Sequence, residues 1–178
     1  FNRLNPSQQA AARFGALDEH HQWSSQPLLI IAGAGTGKTT TISTVVKELW
    51  RTGKKSVMLA PTGRAAKVIS NYAGRQAYTI HKKIYHPKKA KNGGVNFVIQ
   101  ANKHTNTYFI VDEASMISDA TSNSKLFENG SLLDDLMSYV YSGAGCKLVL
   151  IGDTAQLPPV KLDISPALDA SKLSFTYN

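Results

Sequence analysis

Residues 28–40 read Leu28-Leu29-Ile30-Ile31-Ala32-Gly33-Ala34-Gly35-Thr36-Gly37-Lys38-Thr39-Thr40. The four apolar residues follow Pro27 and have the length of a buried strand. Glycines then alternate with small residues, and the chain from Lys38 to Trp50 takes on the apolar spacing of a helix. The segment therefore predicts a strand, a glycine-rich loop and a helix in direct succession.

The glycine-rich loop has the composition of a phosphate-binding site. Glycines let backbone N–H groups approach phosphate oxygens, and the start of a helix adds partial positive charge. We expect Lys38 to reach the β- and γ-phosphates of a nucleotide and the Thr39 hydroxyl to bind Mg²⁺. Where the usual G-x-x-x-x-G-K-[S/T] pattern begins with glycine this chain has Ala32, whose methyl group is a small intrusion. We interpret the loop as a P-loop, with nucleotide contacts from Gly33, Ala34, Gly35, Thr36, Gly37, Lys38, Thr39 and Thr40.

The composition is that of an ordinary globular domain. The chain has 178 residues, of which 42% are hydrophobic and 18% charged, and we treat residues 1–178 as one domain. No apolar run approaches the roughly 20 residues that cross a bilayer, so no membrane association is expected. The single cysteine, Cys146, excludes an intramolecular disulfide and begins an apolar run. We expect it in the core of a protein in the reducing cytoplasm.

Basic residues are concentrated in the middle of the chain. The formal net charge is +8, yet all twelve Asp and Glu residues lie at or before Glu48 or at or after Asp112. Twelve Lys and Arg residues lie between these two positions without one acid. A basic excess is often only a solvated surface, but segregation over sixty residues favours a polyanion-binding region.

The order of the remaining elements predicts a parallel sheet. Buried strands are expected at residues 56–60, 107–111 and 146–151, and helices at the segment from Pro61 and at residues 132–140, the latter capped by Ser131. Alternating strands and helices favour an α/β fold of the P-loop NTPase type, with helices on both faces of a parallel sheet.

Residues 78–108 break this alternation. Residues 79–83 have the pattern of one helical turn, and a basic run to Lys91 follows. The turn signal Asn92-Gly93-Gly94 then precedes an alternating apolar segment, residues 95–99. We predict a small inserted β-hairpin within residues 84–106.

Acidic residues follow one of the predicted strands. Asp112 and Glu113 come directly after residues 107–111, at a carboxyl end, where open α/β sheets bind ligands. A P-loop enzyme needs a carboxylate for Mg²⁺ and a base that orients water. We assign the metal to Asp112 and the water to Glu113. An Asp-Glu pair by itself is usually a solvated strand end, and the P-loop upstream is what makes this pair informative.

Six segments together resemble the superfamily 1 helicases, in particular their RecD-like branch, over nearly the whole chain. They are residues 4–8, 32–39, 60–66, 79–81, 112–116 and 152–160, which are similar to the Q motif and to motifs I, Ia, the following single-strand motif, II and III. Members of this family accept alanine at the first position of motif I. The resemblance implies a RecA-like fold.

The resemblance also implies roles for individual residues. Gln8 would read adenine, and Gln156 would sense the γ-phosphate and couple it to DNA, which adds it to Lys38 and Glu113 as a catalytic residue. ATP and Mg²⁺ would be the ligands, and single-stranded DNA and duplex junctions the partners. Polarity would be 5′→3′.

The later helicase motifs do not occur within the 178 residues. In the family they lie on a second RecA-like domain that supplies arginines to the γ-phosphate. Since Phe1 is not an initiator methionine and nothing after Val160 resembles those motifs, we expect the first motor domain of a longer helicase, with its second domain beyond Asn178. Such a fragment is expected to bind ATP and hydrolyse it slowly.

Nucleic acid is expected along the basic segment and on the hairpin, which would act as a wedge. The predicted contacts are Pro61, Thr62, Arg64, Thr79, His81, Lys82, Lys83 and Phe97. Bases would stack on Phe97 or Tyr85, although Phe97 is equally suited to anchoring the hairpin to the core.

Two other functions fit part of the sequence. A P-loop kinase or GTPase shares the loop, but no Asn-Lys-x-Asp guanine reader occurs, and a kinase has no use for residues 152–159. A passive nucleic-acid-binding module without turnover fits the charge alone. The residues themselves do not decide between DNA and RNA.

Overall fold

A computed structural model describes residues 28–31, 37–89, 93–117 and 131–152. The strands are β1 (Leu28–Ile31), β2 (Lys55–Ala60), β3 (Ala77–Thr79), β4 (Tyr85–Lys89), β5 (Val95–Ile99), β6 (Thr107–Val111) and β7 (Lys147–Gly152). The helices are α1 (Lys38–Arg51), α2 (Gly63–Ala73), α3 (Ile80–Ile84) and α4 (Leu132–Tyr141), and a short 3-10 helix spans Ala114–Met116.

Within the described residues, five strands form one parallel sheet in the order β1-β7-β6-β2-β3. Strands that follow one another in the chain are separated by helices, as a parallel sheet requires. The predicted α/β fold with a RecA-like parallel sheet is confirmed.

Side chains alternate between the two faces of the sheet. Met58, Ile110 and Val149 pack with α1 and α2 in one buried cluster. Leu59, Phe109 and Leu148 pack with α3, the 3-10 helix and α4 in the other. Because both faces are covered, the central strand β6 is buried along its whole length. The prediction of helices on both faces is therefore confirmed.

The inserted hairpin forms its own two-stranded sheet. β4 and β5 pair antiparallel, with Tyr85 opposite Ile99 and Pro87 opposite Phe97. This confirms the predicted hairpin, whose tip at residues 90–92 lies outside the described residues.

Four further segments with predicted features also lie outside them: residues 1–27, 32–36, 118–130 and 153–178. Among the described helices, none is long and apolar enough to cross a membrane. Cys146 is a free, buried thiol, as its apolar surroundings predicted.

The sequence did not predict β3. It is three residues long, is half-buried at the edge of the sheet and lies directly before α3. Such a strand is too short for a period of two to be recognised. It places Thr79 opposite Ala60 at the carboxyl edge of the sheet.

Candidate functional site

Helix α1 begins directly after Gly37, whose backbone is left-handed at φ +80° and ψ +41°. Residues with a Cβ rarely adopt that conformation, so the position requires glycine. The Gly37 carbonyl accepts hydrogen bonds from the Thr41 N–H at 2.9 Å and the Thr41 hydroxyl at 3.2 Å. The first turn of α1 carries no acidic side chain, so no carboxylate there neutralises the positive end of the helix dipole.

Much of the predicted nucleotide site lies outside the described residues: Gln8, Gly33, Ala34, Gly35, Thr36 and Gln156. For Lys38 and Thr39 the structure gives the backbone, at the first two positions of α1. Thr40 is exposed on the same turn. The roles assigned to these residues stay predictions, although Gly37 to Thr40 do form the expected loop-to-helix junction.

Asp112 directly follows β6 and is buried, with 4% of its surface exposed. Its N–H donates to the Leu59 carbonyl at 3.0 Å, which extends the pairing of β6 with β2. Glu113 is half-buried and has a left-handed backbone, at φ +54° and ψ +36°. A non-glycine residue in this region costs on the order of 1 kcal/mol, and such strain is concentrated at functional sites. The turn gives two neighbouring carboxyl groups different surroundings.

The helix start and the two acids lie at the same edge of the sheet. Ile31 at the end of β1 is opposite Gly152, and Val111 at the end of β6 is opposite Leu150. Only β7 separates β1 from β6, so the two strand ends are roughly 10 Å apart, two spacings of about 4.8 Å. The end of β1, which leads into the segment before α1, therefore lies two strands away from Asp112.

Asp112 has the chemistry that suits magnesium, although it belongs to no larger cluster of metal ligands within the described residues. No cluster of three or more His, Cys, Asp or Glu side chains suitable for a metal occurs within the described residues. Magnesium in nucleotide sites is held by one or two carboxylates together with the substrate phosphates, so it needs no larger cluster. A buried carboxylate oxygen and a threonine hydroxyl are the hard oxygen ligands that this ion prefers.

A cavity of about 380 Å³ adjoins the acidic pair. It is bounded by the start of α2 and by the 3-10 helix, and is lined by Thr62, Arg64, Ala65, Val68, Tyr72, Asp112, Glu113 and Met116. Val68 and Met116 are large apolar side chains that are 47% and 50% exposed. Sequence reasoning missed the apolar part of this wall, although Val68 and Tyr72 are four residues apart on one helix and so share a face.

Two of the predicted nucleic-acid residues cap helices. The Thr62 hydroxyl accepts a hydrogen bond from the Ala65 N–H at 3.2 Å at the start of α2. The Thr79 hydroxyl accepts from the Lys82 N–H at 3.2 Å at the start of α3. Each hydroxyl has a proton that it can still donate. The pairing of β2 with β3 brings Pro61, Thr62 and Thr79 together at the carboxyl edge, with Arg64 exposed beside them.

The basic side chains of α3 lie on different surfaces of the domain. Lys82 is exposed, whereas Lys83 is half-buried with its Nζ 5.2 Å from the centre of the Tyr78 ring. Burial lowers the pKa of Lys83 below its usual range. His81 lies 5.7 Å from the Tyr85 ring, and burial lowers its pKa, which favours the neutral imidazole at neutral pH. The predicted pair Lys82 and Lys83 is therefore divided between two surfaces.

The two candidate stacking rings of the hairpin have different surroundings: the Tyr85 ring is buried and the Phe97 ring is exposed. Tyr85 is 7% exposed and its hydroxyl donates to Asp135 Oδ2 at 2.5 Å, so it is buried and unable to stack on a base. The prediction that a base could stack there is wrong, because this ring anchors the hairpin to α4. Phe97 is 54% exposed, as is its neighbour Val95 at 58%. The alternative that Phe97 anchors the hairpin in the core is wrong, because its ring is exposed.

Comparisons with known proteins agree with this fold. A family described as "AAA domain" matches residues 19–162. The ATP-dependent RecD2 DNA helicase of Deinococcus radiodurans is 31% identical over 156 residues, which cover 84% of this chain. An uncharacterized protein of Methanocaldococcus jannaschii is 33% identical over 144 residues, covering 74% of this chain. The chain spans only 19% and 11% of the lengths of these two relatives.

One solved structure shows a similar fold. The crystal structure of Bacteroides Pif1 bound to single-stranded DNA superposes with a TM-score of 0.51 at 24% identity. The match covers 89% of this chain and 34% of that one. At this identity the similarity concerns the fold.

Proposed function

Because the chain belongs to the AAA domain family and is a RecA-like domain of the superfamily 1 helicase type, we propose that it is the ATP-binding motor domain of a DNA helicase. In this role it couples ATP hydrolysis to movement along a single strand and to duplex unwinding. The D. radiodurans relative, which is named as an ATP-dependent DNA helicase, supports DNA as the nucleic acid. The RecD-like motifs support 5′→3′ polarity.

One observation carries the proposal: a single sheet edge combines the glycine-capped start of α1 with Asp112, Glu113 and the start of α2. Lys38 would hold the β- and γ-phosphates, and Asp112 with Thr39 would hold Mg²⁺. Bound there, Mg²⁺ would neutralise charge that develops on the phosphate oxygens. Glu113 would orient the attacking water.

The outer residues of the site complete the proposed coupling. Gln8 would contact adenine and Gln156 the γ-phosphate. The single strand would run past Pro61, Thr62, Arg64 and Thr79 at the carboxyl edge, with His81 and Lys82 beside it. Motif III follows the end of β7 and motif Ia follows β2, and β6 lies between these two strands, so the sheet would link ATP turnover to strand movement.

A second RecA-like domain is part of the proposal. The arginines that the resemblance assigns to such a domain stabilise transition-state charge and are worth about 10³–10⁵ in rate in other P-loop enzymes. We therefore propose that the 178-residue chain alone binds ATP but hydrolyses it slowly. A cytoplasmic location suits the free thiol of Cys146, since such thiols persist in a reducing compartment.

ATP hydrolysis with and without a single-stranded oligonucleotide tests the proposal. In a longer form that includes a second RecA-like domain, we expect hydrolysis that the strand stimulates and that Glu113→Gln abolishes. Glu48→Gln is the matched control, because Glu48 lies in the last turns of α1 in a surface ion pair with Arg51. Strand binding without strand-stimulated hydrolysis in the longer form would instead indicate a passive binding module, and hydrolysis indifferent to the strand would indicate another P-loop enzyme.

A further inference from the structure

A second cavity, of about 640 Å³, lies at the opposite edge of the sheet. It is formed where β2 and β3 begin and by the segment that precedes β6. Its described lining residues include Trp50, Lys55, Arg75, Tyr78, Lys83 and His104. Five residue steps along β2, roughly 16 Å at about 3.3 Å each, separate this edge from the carboxyl edge with the proposed nucleotide site.

The cavity is basic. Lys54, Lys55, Arg75 and Lys83 contribute cations, and the described lining residues include neither Asp nor Glu. His104 shows the effect of this environment: burial lowers its pKa most, and the positive charges of Lys83 and Lys55 lower it further. Like charges in one cavity repel each other, and an anion bound among them would relieve that repulsion.

The cavity also has ordered donors and aromatic surface. Arg75 Nη1 donates to Ser56 Oγ at 3.0 Å, which fixes the guanidinium at the wall. A guanidinium has five N–H donors, and its fork matches phosphate oxygens. The Lys83 ammonium is positioned 5.2 Å from the centre of the Tyr78 ring. At the rim, the Trp50 side chain is 71% exposed at the end of α1, which suits an indole that stacks on a planar ligand.

We propose that this cavity binds a phosphate-bearing ligand, with phosphate oxygens against Lys55, Arg75 and Lys83 and a planar base on Trp50. A nucleotide unit has both groups, whether it is free or part of a single strand. The site accounts for the different exposure of Lys82 and Lys83, because Lys83 faces this cavity. It is separate from the proposed nucleotide site and does not depend on the proposed motor function.

Nuclear magnetic resonance can observe both regions in the same titration. The Trp50 indole N–H, assigned with Trp50→Phe, and the His104 ring report on the cavity, and the Thr41 amide reports on the start of α1. The probes are an eight-residue oligothymidylate and inorganic triphosphate, each compared with chloride at matched ionic strength. We expect saturable shifts of the two cavity signals with the oligothymidylate.

Charge variants test the assignment. For oligothymidylate, removing two cations with Lys55→Gln and Arg75→Gln should lower the magnitude of the slope of log affinity against log salt by roughly 1.4, about 0.7 for each phosphate contact. The control pair Lys47→Gln and Lys67→Gln removes two exposed charges outside the cavity and should leave the slope unchanged. The charge-retaining pair Lys55→Arg and Arg75→Lys should preserve the slope, because both positive charges remain, even where the fork geometry of Arg75 is lost.

Each outcome bears on the proposal. Shifts with both probes support it and show that phosphate alone suffices, whereas shifts with the oligothymidylate alone support it and identify a strand as the source. No saturable shift of the cavity signals with either probe would overturn it. Equal slope changes in the cavity and control pairs would also overturn it, since binding would then be unspecific attraction. In a separate titration with Mg-ATP, failure of the Thr41 amide to respond would count against the motor function alone.

Discussion

The hydrogen bond from the Tyr85 hydroxyl to Asp135 joins two side chains that are 50 residues apart in the chain and are both buried. Tyr85 begins β4 and Asp135 lies in the first turn of α4, so this contact holds the base of the hairpin against the domain core. Aromatic residues in a basic segment suggested base stacking, but sequence alone does not show which ring is buried. The partner that decides it, Asp135, is too distant in the chain for any local pattern to reveal.

Tyr85→Phe should destabilise the fold. The change keeps the ring and removes a hydrogen bond to a carboxylate that is 0% exposed, so we expect the free energy of unfolding to fall by about 1.5–3 kcal/mol. Urea denaturation measures this loss. Tyr78→Phe is the control, because its ring contacts Lys83 through its face and phenylalanine keeps that contact. Equal losses in the two variants would contradict the anchoring role of Tyr85.

His104 should make stability depend on pH. Its pKa in the folded chain lies below the usual 6.5 because of burial and of Lys83 and Lys55. Below pH 6.5 the unfolded chain therefore binds more protons than the folded chain does. The contribution of His104 to the free energy of unfolding is fully present above pH 6.5 and is lost as the pH falls toward the lowered pKa. His104→Phe keeps the edge contact with Phe109, 5.3 Å between ring centres, and should reduce this loss. Denaturation midpoints that change equally with pH in both proteins would argue against the assignment.

Among the elements, the hairpin is the one whose proposed role as a wedge can be tested by deletion while the rest of the domain stays folded. Its base is held by backbone and side-chain contacts: the Gln100 N–H donates to the Ile84 carbonyl at 2.8 Å and Asn102 Nδ2 donates to the Tyr139 carbonyl at 3.0 Å. Its second strand, β5, carries the exposed Phe97. A rigid base with an exposed apolar surface is suited to a wedge that separates strands.

Replacing residues 87–97, which include Phe97, with an Asn-Gly turn between the paired residues His86 and Val98 should separate unwinding from hydrolysis. The replacement leaves Gln100 and Asn102 in place, and Asn-Gly is a favourable two-residue hairpin turn. In a longer form with a second RecA-like domain, we expect loss of duplex unwinding while strand-stimulated ATP hydrolysis persists. Strand-displacement and hydrolysis assays on the same preparation measure both. If unwinding persists at the normal rate, the wedge lies elsewhere.

Sequence patterns predicted the larger elements because each has a local signature. β1 and β6 have the predicted limits, and α4 begins after Ser131, whose hydroxyl accepts from the Asp134 N–H at 3.1 Å. The edge strand β3 was missed because three half-buried residues carry too little periodicity. The limits of β2, β7 and α4 differ from the predicted ones by one residue. Helix α2 begins at Gly63, two residues after the predicted start at Pro61, because Thr62 caps it.

For the molecule as a whole, the sequence predicted where basic residues lie along the chain, but not that the fold would distribute them over separate surfaces. The sequence indicated one polyanion-binding region between Glu48 and Asp112. The fold instead places Arg64 at the carboxyl edge, Lys82 on α3, and Lys55, Arg75 and Lys83 in a cavity at the amino edge. These cavity residues come from separate segments, and only the sheet brings them together. The position of Asp112 and Glu113 at the carboxyl edge was predictable, because parallel strands end at a common edge and these residues directly follow β6.

Calorimetric titration of Mg-ATP into the 178-residue chain tests the central claim, that the carboxyl edge is an ATP site. We expect saturable binding by the unchanged chain and by Lys47→Ala, an exposed lysine on the same helix. Lys38→Ala should lose at least about tenfold in affinity, or 1.4 kcal/mol, because the phosphates lose the lysine of their loop. Asp112→Asn should weaken the dependence of binding on Mg²⁺. Unchanged affinity in Lys38→Ala would contradict the assignment.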